Sequence, residues 1–135
     1  MDIATLWPYH AVLMTLGFLV LLSSSLIERY LKRRQWWLKA HKITGILGAI
    51  LFISGLLMAN YMVSVSTGVH FRVPHAYLGV GIIVLVVTNQ ILGYAQLKYR
   101  SKAAKIRSAH RWSARIALVL ILINMVSGLL LVGIL

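Results

Sequence analysis

Residues 40–63 read AHKITGILGAILFISGLLMANYMV, an almost uninterrupted apolar run with one histidine, His41, near its start. About 20 apolar residues are needed to cross the roughly 30 Å hydrocarbon core of a bilayer. Water is absent there, so a crossing chain must satisfy its own backbone hydrogen bonds, and a helix does so. This stretch is therefore predicted to be a transmembrane helix.

Three more apolar runs of similar length accompany it, and they make up most of a chain that has 135 residues and is 60% apolar. A soluble domain of this size could not bury so much apolar surface. The first run is too long for a cleaved signal peptide, so we expect it to be retained. We predict an all-α membrane protein, a four-transmembrane-helix up-down bundle that forms one domain over residues 1–135. The predicted helices cover approximately residues 6–30, 39–63, 74–97 and 108–135.

The positive charge of the chain is confined almost entirely to two connectors. Fourteen residues are Lys or Arg and two are acidic, which gives a net charge of +12. Thirteen of the fourteen lie in or beside the connectors between helices 1 and 2 and between helices 3 and 4, and Arg72 is the exception. The positive-inside rule places these connectors in the cytoplasm and both termini outside. Such charge suggests nucleic acid in a soluble protein, but here it predicts membrane lipid as the partner and no nucleic acid.

One histidine lies near the start of each predicted helix. Because the helices alternate in direction, His10 and His75 fall near the outer face, whereas His41 and His110 fall near the inner face. Helices 1 and 3 are diagonal in an up-down bundle, as are helices 2 and 4. Each face therefore presents two opposed imidazoles, which is what a bis-histidine haem needs. The fifth histidine, His70, lies in the outer connector and is expected to be solvated or to lie near the edge of the outer haem.

Two haem b groups, held without covalent bonds, are the cofactors that this pattern predicts. His10 and His75 are the predicted iron ligands of the outer haem, and His41 and His110 those of the inner haem. The chain has no cysteine, which excludes thiolate clusters and the C-x-x-C-H attachment of c-type haem. Zinc fits less well, because a structural site uses four ligands and a catalytic site three.

Small residues recur one helical turn after three of the histidines. Gly45, Gly79 and Ala114 each stand four residues after a histidine, on the same helix face. They are predicted to leave room for a flat macrocycle, although small residues also serve tight helix packing in membranes. On the non-ligating helices, the small residues expected near the sites are Ser54, Gly55 and Gly128 (outer) and Ser24, Ser25, Thr88 and Gly93 (inner).

Polar side chains near the helix ends are candidate partners of the haem propionates. Attraction to anionic lipid is an equally good reason for the basic ones. Arg115 lies a turn deeper than Arg111, and it is expected to snorkel, to contact a propionate or to pair with Glu28. The basic candidates are Lys39, Lys42, Arg107, Arg111 and Arg115 at the inner face and Arg72 at the outer face. Three amides within the apolar runs, expected to bond a ligand imidazole or a neighbouring helix, are Asn89, Gln90 and Asn124.

Four motifs carry a family resemblance. His10-Ala-Val-Leu-Met14 opens the first helix, and Trp37-Leu-Lys-Ala-His41 precedes the second. His75-Ala-Tyr-Leu-Gly79 is similar to a family pattern H-S-W-x-G, and His110-Arg-Trp-Ser113 follows the second basic connector. On these motifs nearly all of the chain resembles the cytochrome b561 superfamily, especially its four-helix haem-binding core.

The resemblance implies two b haems on the equivalent histidines and electron transfer across a membrane, in that family often from ascorbate or quinol. The ascorbate-binding pattern is not matched cleanly, since only a basic cluster after Tyr30 is similar to it. A quinol or a redox partner protein is therefore the expected donor, and a transmembrane oxidoreductase activity stays open. Bare four-helix members look prokaryotic, which predicts the prokaryotic cell (inner) membrane.

A second class of function is compatible with the same sequence. The chain would then be a structural or anchor subunit of a larger redox complex, without electron-carrying haems of its own. Its histidines would only satisfy local polar needs. A homodimer or a place in a larger assembly is compatible with either hypothesis.

Overall fold

Four long helices make up the structure, a computed structural model that describes residues 3–134. The helices are α1 (Ile3–Tyr30), α2 (Trp37–Ser66), α3 (Pro74–Lys98) and α4 (Ala103–Leu131), and a short 3-10 turn (Arg100–Lys102) precedes α4. Each is long and apolar enough to cross a membrane, and no strand occurs between residues 3 and 134. The predicted all-α fold with four membrane-spanning helices is confirmed.

Most helix ends lie beyond the apolar runs from which they were predicted, but α4 ends at Leu131, short of the predicted end at residue 135, which lies outside the described residues. α4 begins at Ala103, about one turn before the expected position 108, so that Lys105 and Arg107 lie on the helix. Lys and Arg favour helical backbone and can reach water from a helix end, so the charge does not end the helix. α1 likewise starts at Ile3, which places Pro8 inside the helix rather than in its first turn.

The bundle consists of two helical hairpins, α1/α2 and α3/α4. Within a hairpin the helices pack along their length, whereas contact between hairpins is much thinner, along α1/α4 and α2/α3. Among the described residues, no Cα atoms of α1 and α3 come within 8 Å of each other, nor do those of α2 and α4, so these pairs are the diagonals. Glycines allow the close approach of α1 and α2: a Cβ atom at Gly48 would lie 2.7 Å from Cγ of Leu21.

An apolar core fills the middle of the bundle. Phe52, Ile82 and Ile121, from three different helices, are its most completely buried side chains. Ile82 lies seven residues after His75 and seven before Asn89, midway between the two ends at which polar side chains gather. Large apolar side chains on the outside of the bundle remain exposed, as expected for surfaces that face lipid.

Candidate functional site: two pairs of facing histidines

The structure brings the four helix-start histidines together in two pairs. The ring centroids of His10 and His75 are 6.3 Å apart, and those of His41 and His110 are 6.1 Å apart. The ring planes within each pair are nearly perpendicular, at 86°. All four side chains are half-buried. Each pair takes its rings from diagonal helices and therefore bridges the two hairpins.

The spacing of these rings suits a shared metal ion. A metal–imidazole bond is about 2.0 Å long and a ring nitrogen lies roughly 1.1 Å from its ring centroid, so two imidazoles on one metal have centroids about 6 Å apart. The two histidines of each pair would therefore be able to hold one iron between them.

Hydrogen bonds fix which nitrogen of each ring is free. Nδ1 of His10 lies 2.8 Å from the backbone oxygen of Gly55, and Nδ1 of His110 lies 3.0 Å from that of Asn89. A carbonyl oxygen can only accept, so in both rings Nδ1 carries the proton and donates it. Nε2 is then unprotonated and has the lone pair that a metal ion requires.

His41 and Ser24 form a reciprocal contact with the same consequence. Nδ1 of His41 donates to the backbone oxygen of Ser24 at 2.9 Å and lies 3.0 Å from the Ser24 hydroxyl. That hydroxyl donates in turn to the backbone oxygen of His41 at 2.9 Å. Ser24 is 5% exposed, so water does not compete for these bonds. The contact fixes both the ring of His41 and the register of α1 against α2.

At the fourth histidine a hydroxyl takes the place of the carbonyl. Nδ1 of His75 lies 3.0 Å from Oγ of Ser127, whose own proton goes to the backbone oxygen of Asn124 at 2.8 Å. The hydroxyl oxygen is therefore the acceptor, and Nδ1 is again the donor. In all four cases the acceptor comes from the other helix of the same hairpin.

Two glycines make room for the rings. A Cβ atom at Gly128 would lie 2.9 Å from Cε1 of His75, and one at Gly93 would lie 3.2 Å from Cε1 of His110. A Cβ atom at Gly79 would meet the amide of Asn124 at 3.4 Å. Each imidazole of α3 and α4 therefore rests against bare backbone of the neighbouring helix.

A cavity of about 410 Å³ adjoins the inner pair. Ligand pockets commonly enclose about 300–1,000 Å³. His41 and His110 contribute to its walls, and so do two of the small residues predicted to give clearance, Gly45 and Ala114. The charged side chains that line it are Glu28, Arg29, Lys42, Arg111 and Arg115.

The predicted propionate partners are placed differently from one another. Lys42, Arg111 and Arg115 line the inner cavity. Lys39 is exposed and does not line it, and Arg72 is exposed in the connector at the end where His10 and His75 lie. The remaining candidate, Arg107, lines a separate groove on α4.

Glu28 pairs with Arg111 rather than with Arg115. Nη2 of Arg111 lies 3.0 Å from Oε1 of Glu28, and Lys32 forms a second ion pair with the same carboxylate. The guanidinium of Arg115 lies over the ring of Trp112 instead, 5.1 Å from its centroid. Of the three roles expected for Arg115, pairing with Glu28 is therefore wrong. Arg111 lies one turn nearer the helix start, level with Glu28.

The sequence model of eukaryotic cytochrome b561 matches residues 9–134, almost the entire chain. The chain belongs to the cytochrome b561 family. Neither the search of curated proteins nor that of solved structures gives a significant match. Its four helices are long and apolar enough to cross a membrane, and the protein is an integral membrane protein. As a member of this family it binds b-type haem and takes part in transmembrane electron transfer.

The hydrogen bonds that hold the histidines in place were not predicted from the sequence. The side chain of Asn89 bonds the neighbouring helix, one of its two expected roles, since its Oδ1 accepts from Ser113 of α4 at 2.6 Å. The bond from His110 to the backbone oxygen of Asn89 was not expected, although a signal was present in the sequence, where Asn89 precedes Gly93 by four residues. A glycine one turn after a carbonyl lets a ring approach that carbonyl.

The exposed histidine stands apart from both pairs. Nε2 of His70, in the connector between α2 and α3, lies 3.2 Å from the hydroxyl of Ser64 in the last turn of α2. His70 is exposed, in contrast to the four half-buried histidines. This placement agrees with the expectation that His70 is solvated.

Proposed function

We propose that this cytochrome b561 carries electrons across the membrane through two bis-histidine b haems. His10 and His75 hold the outer haem, and His41 and His110 hold the inner one. The observation that supports the proposal is the hydrogen bond at Nδ1 of every one of these rings, which leaves Nε2 free in all four, together with ring centroids that lie 6.3 and 6.1 Å apart in the two pairs. Chance polar contacts would not give the same tautomer four times.

The histidines decide which chemistry is open to the protein. When bound, haem supplies one-electron oxidation and reduction at its iron. An iron held by two of these imidazoles would have no position open for oxygen or for a substrate. The oxygen atoms that accept from Nδ1, three of the backbone and the hydroxyl of Ser127, hold each ring in place and raise its basicity as a ligand. Outer-sphere electron transfer is the reaction that remains.

The distance between the two sites can be read along α1. Ser24, which holds His41, comes 14 residues after His10 on the same helix, and this corresponds to about 21 Å of helix rise. The edges of two macrocycles would be closer than their centres. Phe52, Ile82 and Ile121 fill the space between the sites, where they exclude water and ions while an electron passes.

Charge at the two ends supports an assignment of sides and partners. The thirteen basic residues lie at the end of His41 and His110, so this end faces the cytoplasm and both termini lie outside. Lys42, Arg111 and Arg115 hold the inner propionates and Arg72 the outer ones. A quinol or a partner protein donates the electron, and an acceptor on the opposite side receives it. The prokaryotic inner membrane stays a prediction, as the matched model is that of eukaryotic cytochrome b561.

Haem stoichiometry in single-histidine variants tests the proposal. Protein purified from cells supplied with haem should show a reducible b-type spectrum with two haems per chain. His41→Ala and His110→Ala should each lose the same haem, whereas His10→Ala and His75→Ala should lose the other. His70→Ala is the matched control and should retain both. A folded but colourless protein would favour the alternative of an anchor subunit without haems.

A further inference from the structure

A second, smaller cavity lies on α4, beside the inner histidine cavity. It is a groove of about 210 Å³ between two neighbouring rows of side chains on that helix. One row contains Arg107, Arg111 and Arg115. These residues follow one another at intervals of four, about one helical turn, and therefore lie on the same helix face. The other row contains Ala104, Ser108 and Trp112. Neither Arg107 nor Ser108 lines the histidine cavity.

The groove carries an excess of positive charge. Like charges four residues apart on a helix repel each other, and here three arginines follow at that spacing. Glu28 is the only acid of the chain on this side of the membrane, and Arg111 shares it with Lys32. This single carboxylate does not neutralise the three arginines. An anion bound in the groove would reduce the repulsion that remains between them.

The shape of the groove suits a phosphate at a membrane surface. Guanidinium groups bind phosphate oxygens through paired N–H donors, and Ser108, whose hydroxyl can donate, also lines the groove. The small side chain of Ala104 leaves the connector end open. At the deeper end Trp112 is 60% exposed and carries the guanidinium of Arg115 on its ring. An exposed Trp near a helix end is typical of the membrane–water interface.

We propose that this groove binds the phosphate of an anionic phospholipid. Arg107 contacts the phosphate oxygens, Ser108 donates to them, and Trp112 contacts the glycerol and upper acyl chain. Basic pockets on transmembrane helices are suited to such headgroups. The site rests on the membrane-spanning fold and on the arginine row, and it stands whether or not the histidines bind haem.

Native mass spectrometry of the intact detergent-solubilised protein tests the site. The protein is equilibrated with equimolar phosphatidylglycerol and phosphatidylcholine, and the lipid that stays bound is identified. One phosphatidylglycerol should be retained in preference. Arg107→Gln should reduce its retention by about fivefold or more, the contribution expected of one basic residue near an anionic headgroup. Lys105→Gln removes the same charge from an exposed position outside the groove and should retain the lipid.

Three outcomes would overturn the proposal. Equal losses in Arg107→Gln and Lys105→Gln would show diffuse attraction rather than a site. Displacement of the lipid by millimolar inorganic phosphate alone would show a site for the free ion. Equal retention of both lipids by the unaltered protein would show that the headgroup is not recognised. Arg107→Lys keeps the charge but loses the paired donors of the guanidinium group. Its retention of phosphatidylglycerol should lie between that of the unaltered protein and that of Arg107→Gln, and it tests the site even if Arg107→Gln fails to fold.

Discussion

The imidazole of His75 rests on the backbone of Gly128, where a Cβ atom would lie 2.9 Å from Cε1 of the ring. α4 therefore has no side chain at the point where it passes this histidine. The same helix holds the ring through Ser127, the residue just before the glycine. The close contact with the ring comes from Gly128 and the hydrogen bond comes from Ser127. Because these residues are adjacent, a change at either one should disturb the interaction that the other makes with His75.

Gly128→Ala should displace the ring of His75 and weaken the outer haem site. Overpacking of a tight contact typically costs about 1–3 kcal/mol, and the displaced ring would also lose its bond to Ser127. The pyridine haemochrome assay should show a fall from two haems per chain towards one. Gly81→Ala is the control, because a Cβ atom there would meet nothing within 4 Å. Equal haem loss in both variants would contradict the role assigned to Gly128.

Ser24→Ala should loosen the inner haem through His41. The variant removes the hydroxyl that lies 3.0 Å from Nδ1 and that donates to the backbone oxygen of His41. Loss of a bond to a metal-ligating histidine typically costs about 10–100-fold in affinity. The backbone oxygen of Ser24 still accepts from Nδ1 in the variant, so we expect a loss of affinity at the lower end of this range. It should be seen as faster transfer of the inner haem to apomyoglobin. Ser23→Ala, at an exposed hydroxyl that bonds only within α1, should leave the rate unchanged.

Glu28→Gln should raise the reduction potential of the inner haem. The carboxylate lines the inner cavity and pairs with Lys32 and Arg111, so its loss leaves two positive charges uncompensated. A nearby positive charge favours the reduced state, by on the order of tens of millivolts for a partly screened group. Spectroelectrochemical titration should resolve the two haems, and the outer one serves as the internal control. A shift of the outer potential alone would contradict the assignment of Glu28 to the inner site.

The sides of the membrane can be tested with single cysteines, since the natural chain has none. Gln35→Cys lies between α1 and α2, and Thr67→Cys lies just after α2, both at exposed positions. The positive-inside rule predicts that an impermeant maleimide added to intact cells labels Thr67→Cys and not Gln35→Cys. Disrupted cells should show labelling of both. Labelling of Gln35→Cys alone in intact cells would reverse the proposed orientation.

The sequence was sufficient to predict the helices and the meeting of the histidines. The lengths of the apolar runs predict four membrane-spanning helices. Because these helices alternate in direction, His10 and His75 are predicted to lie at the same end of the bundle. The structure shows these rings 6.3 Å apart. Such predictions succeed because they depend on helix direction and depth, which hydrophobic length controls.

The partners of Nδ1 could not be predicted in the same way. Every residue carries a backbone oxygen, and the choice of Gly55 or Asn89 depends on how each helix is rotated about its axis. Hydropathy says little about that rotation, since the helices are apolar on nearly every face. The pairing of Glu28 with Arg111 instead of Arg115 has the same origin, because one turn of difference lies within the reach of both side chains.

The reciprocal arrangement of the two hairpins has a consequence for biosynthesis. His75 completes its pair with His10 but depends on Ser127 for its orientation, and His110 is itself on the last helix. Neither half of the protein contains a whole binding site. A product truncated before α4 would lack His110 altogether and would keep His10 and His75 without the Ser127 contact that orients His75, so stable haem binding should follow insertion of the last helix.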